Sequence, residues 1–235
     1  MMTIDGKTSG NCLIIPESEE TTKQYFDMHL KFEKDAYAMG RRTYLEGYTD
    51  FKVNLDDFES EEKIAKQDYI SDYVQSLKNS GKKIIYAVAY DGKGTIGWSA
   101  NLMTNEAYNR FKGYKGAHII EVLTEDTDIN YLKYLRKYDI SYIFAGKDEN
   151  NMDIKESLRK LKEYFGIKRM ILEGGSTING AFLMADALDE LSVLVAPVTG
   201  EKNDNPLFYN SKISLFELKK VESRNGVVWM NYKRK

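Results

Sequence analysis

The sequence has 235 residues, a length that suits one large domain or two small ones. It carries 34 Lys+Arg and 36 Asp+Glu, and the formal net charge of -2 supports neither a nucleic acid nor an anionic membrane surface as a partner. With one cysteine, Cys12, no intrachain disulfide can form, and neither a signal-peptide pattern nor a bilayer-spanning apolar run is present, so we expect a cytoplasmic protein.

The first half of the chain combines short apolar runs with one long polar stretch. Residues 36–39 predict a strand that leads into a short helix over 42–46, and residues 83–89 predict another strand. Residues 55–78 are the most polar stretch, and we predict an exposed, helical insertion there. We treat residues 1–235 as one domain that carries this insertion.

The second half alternates clearly between strand-like and helix-like segments. The predicted strands are 117–123, 141–145, 169–173 and 190–196. The predicted helices between them are 129–137, 154–165 and 176–187, with Gly166 as a stop signal after the second. This alternation predicts parallel strands joined by crossover helices.

Near the C-terminus the alternation of strand-like and helix-like segments gives way to two consecutive strand-like runs. Two strand-like runs, 215–223 and 227–233, flank Asn225 and Gly226, and Asn-Gly in that setting is a strong hairpin signal. We therefore predict an α/β fold with a central, mostly parallel mixed sheet, helices on both faces and a C-terminal antiparallel hairpin.

Two glycine-containing turns lie between a predicted strand and a predicted helix. In 174–177, two glycines precede Ser176 and Thr177, either of which can cap the helix. Such a turn is either a plain connection or a phosphate site at a helix N-terminus. The second turn, 40–43, adds two arginines and is either a solvated basic helix start or an anion site. Two such turns favour a ligand with separated phosphates, of which NADPH is one.

A third glycine-rich segment, 92–97, matches the G-x-G-x-x-G pattern of dinucleotide-binding sites literally. A predicted strand precedes it, and Glu121 lies roughly where the ribose-binding acid of such sites belongs. Against this, Trp98 directly follows the third glycine, and a helical pattern resumes only near Asn105. Of the two interpretations, a dinucleotide site and a glycine-rich hairpin, we favour the hairpin.

Other kinds of site have little support. The sequence contains no P-loop and no G-x-S-x-G elbow. The two histidines, His29 and His118, are far apart, so we expect no metal site and interpret each as a structural or surface residue. Cys12 lacks the sequence signature of a nucleophile.

Three segments follow one another in a characteristic order. Along the chain, residues 2–7 read MTIDGK, residues 35–43 read DAYAMGRRT, and residues 172–180 read LEGGSTING. Shorter matching pieces occur at 188–191, 196–198 and Gly200. In this order the segments cover most of the chain and resemble the RibD C-terminal reductase family, which shares its three-layer fold with dihydrofolate reductase.

That family reduces the ribosyl-linked aminopyrimidine of riboflavin biosynthesis with NADPH. The resemblance therefore implies an NADPH-dependent oxidoreductase, similar to 5-amino-6-(5-phosphoribosylamino)uracil reductase, in which the cofactor carries the hydride and the protein positions it. It also implies a homodimer.

The resemblance further implies roles for individual residues. The adenosine side of NADPH would contact Gly40, Arg41, Arg42 and Thr43, with Arg41 or Arg42 near the 2′-phosphate and Thr124 beside the adenine. The pyrophosphate would contact Gly174, Gly175, Ser176 and Thr177. Substrate and nicotinamide would face Asp5, Lys7 and Glu173. Either Asp5 or Glu173 would orient the substrate or deliver a proton, and the sequence leaves that choice open.

Three departures from the family pattern keep alternatives open. Only residues 1–4 precede the Asp-Gly-Lys segment, so we expect either a native start further upstream or a very short first strand. The family's Asp-Asn-Pro segment is not recognisable, which keeps open a reductase of pterins or other small carbonyl or imine compounds, and also a nucleotide-binding protein without turnover. No Pro-Cys-x-x-Cys zinc signature occurs, so we expect a stand-alone reductase domain.

Overall fold

The computed structural model describes residues 1–49, 51–60, 63–104 and 113–235. The strands in these ranges are β1 (Met2–Thr3), β2 (Ala36–Gly40), β3 (Tyr86–Tyr90), β4 (His118–Leu123), β5 (Ser141–Phe144), β6 (Met170–Leu172), β7 (Glu190–Ala196), β8 (Phe216–Arg224) and β9 (Val227–Arg234). The α-helices are α1 (Glu19–Lys31), α2 (Arg41–Gly47), α3 (Asp72–Ser80), α4 (Ile129–Lys137), α5 (Ile154–Phe165) and α6 (Ser176–Met184). None of these helices is long and apolar enough to cross a membrane.

The chain forms two units. The central unit comprises residues 33–174, and the terminal unit comprises residues 1–32 together with 175–235. Among the described residues, the sheet of the central unit has the strand order β5-β4-β3-β2-β6, and every pairing in it is parallel. Strands β3 and β4 are buried along their whole length, as expected where both faces of a sheet are covered.

The parallel arrangement predicted for the second half is confirmed for β4, β5 and β6, but the neighbours differ from sequence order. Strands β5 and β6 lie at opposite edges of their sheet, because β2, β3 and β4 fill the positions between them. Strand β7, the next predicted strand, belongs to the other sheet and pairs in parallel with β1. The strands are therefore divided between two hydrogen-bonded sheets.

In the terminal unit the described strands have the order β1-β7-β9-β8. Strand β1 has two residues, and β7, β9 and β8 pair in antiparallel fashion. The predicted hairpin is confirmed: Asn225 and Gly226 both have positive φ, at 50° and 80°, as a two-residue type I′ turn requires. The α/β class with a C-terminal antiparallel hairpin is thus observed.

Local signals explain where the helices begin and end. The side chains of Asp128 and Asp153 cap α4 and α5 by accepting hydrogen bonds from backbone N–H groups of the first turn. Gly166 ends α5 in the left-handed conformation, as predicted. Helix α6 ends at Met184, before the predicted residue 187, because Asp186 takes a φ of 59° and leaves the helical conformation.

Among its described residues, the insertion that the sequence predicts as helical over 55–78 is helical only at its two ends. Leu55–Phe58 form a 3-10 helix, and regular α-helix starts only at Asp72. Between them, Tyr69 forms an antiparallel bridge with Tyr142 of β5. This part of the segment therefore pairs with the outer strand of the described sheet. Residues 61 and 62 lie outside the described ranges.

The glycine-rich segment 92–97 is neither a hairpin nor a dinucleotide loop. The strands on either side of it, β3 and β4, are parallel, which excludes a hairpin between them. The Asp91 carboxylate accepts hydrogen bonds from the backbone N–H groups of residues 93, 94, 95 and 96, at 2.6–3.2 Å. The protein's own carboxylate thus uses the donors that a phosphate would need.

Glu121, the candidate ribose-binding acid of that interpretation, is a core residue. It is fully buried in β4 and accepts hydrogen bonds from Trp98 Nε1 at 2.5 Å and from the Tyr131 hydroxyl at 3.2 Å. Burial, assisted by the nearby Asp91 carboxylate, raises the pKa of Glu121 well above its ordinary value. Residues 98–104 contain no helix, and the region of Asn105 lies outside the described ranges.

Both histidines are buried, in agreement with their interpretation as structural residues. The Nε2 atom of His118 lies 2.9 Å from Ser141 Oγ and 3.3 Å from Ser71 Oγ, and its ring stacks on Tyr73. Burial lowers the pKa of His118 to about 4.

We expect acid to destabilise the protein through His118. The unfolded chain binds a proton at this imidazole below a pH of about 6.5, whereas the folded protein binds it only near pH 4. Stability that is complete above pH 6.5 is therefore lost as the pH falls, by about 2 kcal/mol between pH 7 and pH 5. Urea unfolding of wild type and His118→Gln at both pH values measures this, and an equal loss in the variant would contradict it.

Candidate active site

Many of the candidate residues lie at the carboxyl ends of the parallel strands in the central unit. Residues 40–43 lie at the end of β2, Thr124 follows β4, and residues 173–174 follow β6. Because these strands all run in one direction, their carboxyl ends form one edge of the sheet, which we call the carboxyl edge. Ligands of open α/β sheets bind at this kind of edge.

Arg41 is the cation of this edge with the most defined surroundings. Its Nη1 atom lies 3.4 Å from Glu149 Oε2 and 3.9 Å from Asp91 Oδ1. On the other side of Glu149, Lys93 Nζ lies 2.9 Å from Oε1. The hydrogen bond from Lys93 is the largest effect that lowers the pKa of the Glu149 carboxyl group. The charges of Lys93 and Arg41 lower it further. The adjacent Arg42 is exposed.

Gly174 links the turn after β6 to the end of β2. Its carbonyl accepts a hydrogen bond from the Gly40 N–H at 2.8 Å, and the Glu173 N–H donates to the Ala38 carbonyl at 2.8 Å. Gly174 has a φ of 89°, a conformation that glycine adopts without strain. Gly40 and Gly174, which belong to the predicted cofactor turns 40–43 and 174–177, are therefore joined by a direct backbone hydrogen bond.

The Tyr114 hydroxyl contacts both carboxylate oxygens of Glu173. The Tyr114 hydroxyl lies 3.0 Å from Oε1 and 2.9 Å from Oε2 of Glu173. Tyr114 is fully buried, and its ring packs against Tyr37 and Tyr48 at centroid distances of 4.9 and 5.6 Å. Partial burial lowers the pKa of Lys34, and the Glu173 carboxylate opposes that shift. A carboxylate and a phenol thus meet beside β6, within electrostatic range of an amine.

Thr124 lies at the carboxyl edge, but its hydroxyl points to protein atoms. Oγ1 is 2.7 Å from the Gly92 carbonyl and 2.6 Å from Asp126 Oδ1, and the side chain is fully buried. The hydroxyl donates to one of these acceptors at a time and so stabilises the loops after β3 and β4.

In the terminal unit, Asp5 and Lys7 stabilise one turn. Asp5 Oδ1 accepts hydrogen bonds from Thr3 Oγ1 at 2.5 Å and from the Gly200 N–H at 2.9 Å. Both bonds lower the pKa of the Asp5 carboxyl group, and the bond from Thr3 has the larger effect. Lys7 Nζ donates to the carbonyls of Asp204 and Lys202 at 3.0 and 3.4 Å. Both side chains connect the turn after β1 to the segment around residues 200–204.

The capping prediction at α6 is wrong. Gly175 is the N-cap residue, and no side chain caps the helix. Ser176 is already the first helical residue, and its hydroxyl donates to the Pro206 carbonyl. Thr177 is exposed.

Four residues of this edge were not predicted from the sequence as site residues: Asp91, Lys93, Glu149 and Tyr114. The Asp-Gly turn at 91–92 was a usable signal, since an aspartate that opens a turn often accepts the following N–H groups. Glu149 is 108 residues from Arg41, and no local pattern reveals that pairing.

Comparisons with known proteins identify the family and the fold of the chain. A sequence profile described as the RibD C-terminal domain matches residues 1–228, whereas no curated protein matches the sequence. A pyrimidine reductase-like protein from Corynebacterium diphtheriae is similar in structure, with a TM-score of 0.64 at 15% identity over 100% of this chain and 89% of that chain. The Saccharomyces cerevisiae riboflavin biosynthesis reductase Rib7 has a TM-score of 0.61 at 16% identity, over 100% of this chain and 86% of that chain.

Acinetobacter baumannii RibD is a longer similar protein. It has a TM-score of 0.62 at 15% identity, and the match covers 100% of this chain and 56% of that chain. The present chain therefore spans about half of that protein. At these identities the likeness shows the fold, and it agrees with the predicted α/β class.

Proposed function

Because the chain belongs to the RibD C-terminal domain family of riboflavin biosynthesis, we propose that it is an NADPH-dependent reductase of a pyrimidine-like substrate, a ribosylaminopyrimidine phosphate. The observation that carries the proposal is the carboxyl edge of the central unit. There Arg41 and Lys93 supply cations, and the turn at Gly174 is held to the end of β2. We assign this role to a single domain over residues 1–235.

The donor set at this edge fits a phosphorylated dinucleotide. The guanidinium group of Arg41 at the start of α2 and the ammonium group of Lys93 in the loop after β3 belong to side chains that are 34% and 50% exposed. A 2′-phosphate needs cationic donors of this kind within reach of solvent. In the proposal, residues 40–43 hold the adenosine side, and the turn 174–177 offers backbone N–H groups to the pyrophosphate.

A bound nicotinamide would supply the hydride, and the chain's own residues orient the substrate and hold a proton. We assign the proton to Glu173, whose carboxylate the Tyr114 hydroxyl orients. Asp5 is a poorer donor, because its hydrogen bonds to Thr3 and Gly200 favour the charged form. Asp5 and Lys7 are proposed to contact and orient the substrate.

We expect Arg41→Ala to weaken NADPH binding about tenfold and NADH binding less than twofold, because only NADPH carries the 2′-phosphate. Arg42→Ala is the matched control and should have a smaller effect, since the contacts to Asp91 and Glu149 fix Arg41 at the edge. Fluorescence titration with both nucleotides measures the ratio. Equal losses for NADPH and NADH would contradict the assigned role.

Steady-state NADPH oxidation tests the function itself. Oxidation with a ribosylaminopyrimidine phosphate supports the proposal. If NADPH is oxidised only with pterins or with other carbonyl or imine compounds, the assignment as a reductase stands and the proposed substrate is wrong. If the protein binds the nucleotide but oxidises NADPH with none of the candidate substrates, the proposed reductase is wrong and the protein is a nucleotide-binding protein without turnover.

We also propose a homodimer in the cytoplasm, as the family resemblance implies. Strand β8 is the outer strand of its described sheet, and it exposes Leu218 and Val221. An outer strand with exposed apolar side chains suits coverage by a second copy. Light scattering should give twice the mass of the chain, and a monomer mass would contradict the dimer.

A further inference from the structure

Glu149 is the anion that the two cations of the carboxyl edge share. Its Oε2 lies 3.4 Å from Arg41 Nη1, and its Oε1 lies 2.9 Å from Lys93 Nζ. The three residues come from different segments: Arg41 begins α2 directly after β2, Lys93 follows β3, and Glu149 lies between β5 and α5. One carboxylate therefore occupies the donors that a phosphate at this place would use.

The position of Glu149 is fixed by backbone packing. The α-carbon of Glu149 lies so close to Gly92 that a β-carbon built on Gly92 would be 2.9 Å from it. The side chain of Glu149 nevertheless stays 36% exposed, so its carboxylate can turn towards solvent. Its backbone is anchored and its charged group is displaceable.

Asp91 behaves differently, although it is also near Arg41. Its carboxylate is fully buried and already accepts hydrogen bonds from four successive backbone N–H groups. Displacing it would dismantle the loop after β3. Of the two carboxylates around Arg41, only Glu149 can therefore leave when an anion arrives.

We propose that Glu149 is a specificity-determining residue that competes with the 2′-phosphate of NADPH for Arg41 and Lys93. This inference rests on the proposed function. The carboxylate and the phosphate have charges of the same sign and need the same donors, so NADPH binds only after Glu149 turns away. NADH carries a 2′-hydroxyl at that point, which can donate a hydrogen bond to Glu149. The competition reduces the preference for NADPH over NADH.

The test is Glu149→Gln, which keeps the size of the side chain and removes its charge. We expect NADPH to bind about fivefold more tightly, and NADH to bind equally or more weakly. The matched control is Glu156→Gln on α5, where the carboxylate has a similar exposure of 34% and pairs with Arg159 and Lys160 of the same helix. The control should leave both dissociation constants unchanged.

Two further measurements isolate the 2′ position. Adenosine 2′-monophosphate should bind more tightly to Glu149→Gln than to wild type, whereas adenosine 5′-monophosphate should not. In an Arg41→Ala background, Glu149→Gln should produce a smaller gain, because one of the contested donors is missing.

The outcomes separate this inference from the function it rests on. If wild type prefers NADPH and Arg41→Ala reduces that preference, while Glu149→Gln leaves NADPH affinity unchanged or lower, the role of Glu149 is overturned and the reductase stands. If wild type binds neither nucleotide, the proposed function and the role of Glu149 both fail.

Discussion

Replacing Asp91 with alanine is expected to lower the free energy of unfolding by about 4 kcal/mol. The Asp91 carboxylate is fully buried and accepts the N–H groups of residues 93–96. Two of the donor residues, Gly94 and Ile96, are themselves buried, so water cannot replace the lost acceptor there without opening the loop. Urea unfolding at pH 7 measures the loss.

Asp148→Ala is the matched control for this prediction. Asp148 also caps a turn, accepting from the Asn150 N–H at 2.9 Å and from the Asn151 side chain, but it does so at the exposed surface. Its removal should cost less than about 1 kcal/mol. Asp91→Asn, which keeps one acceptor oxygen, should lie between the two. Similar losses in Asp91→Ala and Asp148→Ala would show that burial of the carboxylate is not the cause.

The elements that the sequence predicted well are those defined by local chemistry. The bounds of α4 and β7 agree with the prediction, because Asp128 caps the start of α4 and Pro197 directly follows the end of β7. Gly166 and the Asn225–Gly226 turn were correctly placed for the same reason: their backbone conformations are ones that few other residues adopt.

What could not be predicted depends on residues that are distant in sequence. Which strands are neighbours in a sheet is decided by pairing across the fold, and so β7 joined β1 rather than β6. The glycine pattern at 92–97 resembled a phosphate loop because the pattern contains no information on Asp91, whose carboxylate fills the loop. The resemblance to a family indicated Arg41, but only the structure showed its pairing with Glu149.

The second large effect is expected at Glu173. Changing Glu173 to glutamine should lower kcat about 100-fold or more, because an amide cannot hold and deliver the proton that accompanies hydride transfer. NADPH affinity should change little, since the substitution keeps the shape of the side chain and the backbone bond between Glu173 and Ala38. Stopped-flow measurement of NADPH oxidation at saturating substrate separates kcat from binding.

Asp5→Asn decides between the two carboxylates that the sequence left open. Asp5 is held in its charged form by Thr3 and Gly200, so its substitution should act mainly on KM, with kcat within about threefold of wild type. Tyr114→Phe should give an intermediate loss in kcat and a changed pH profile, because it removes the hydroxyl that orients Glu173 while leaving the carboxylate in place. If Asp5→Asn abolished turnover and Glu173→Gln did not, the proton would have to be assigned to Asp5, and the contact between Tyr114 and Glu173 would be structural only.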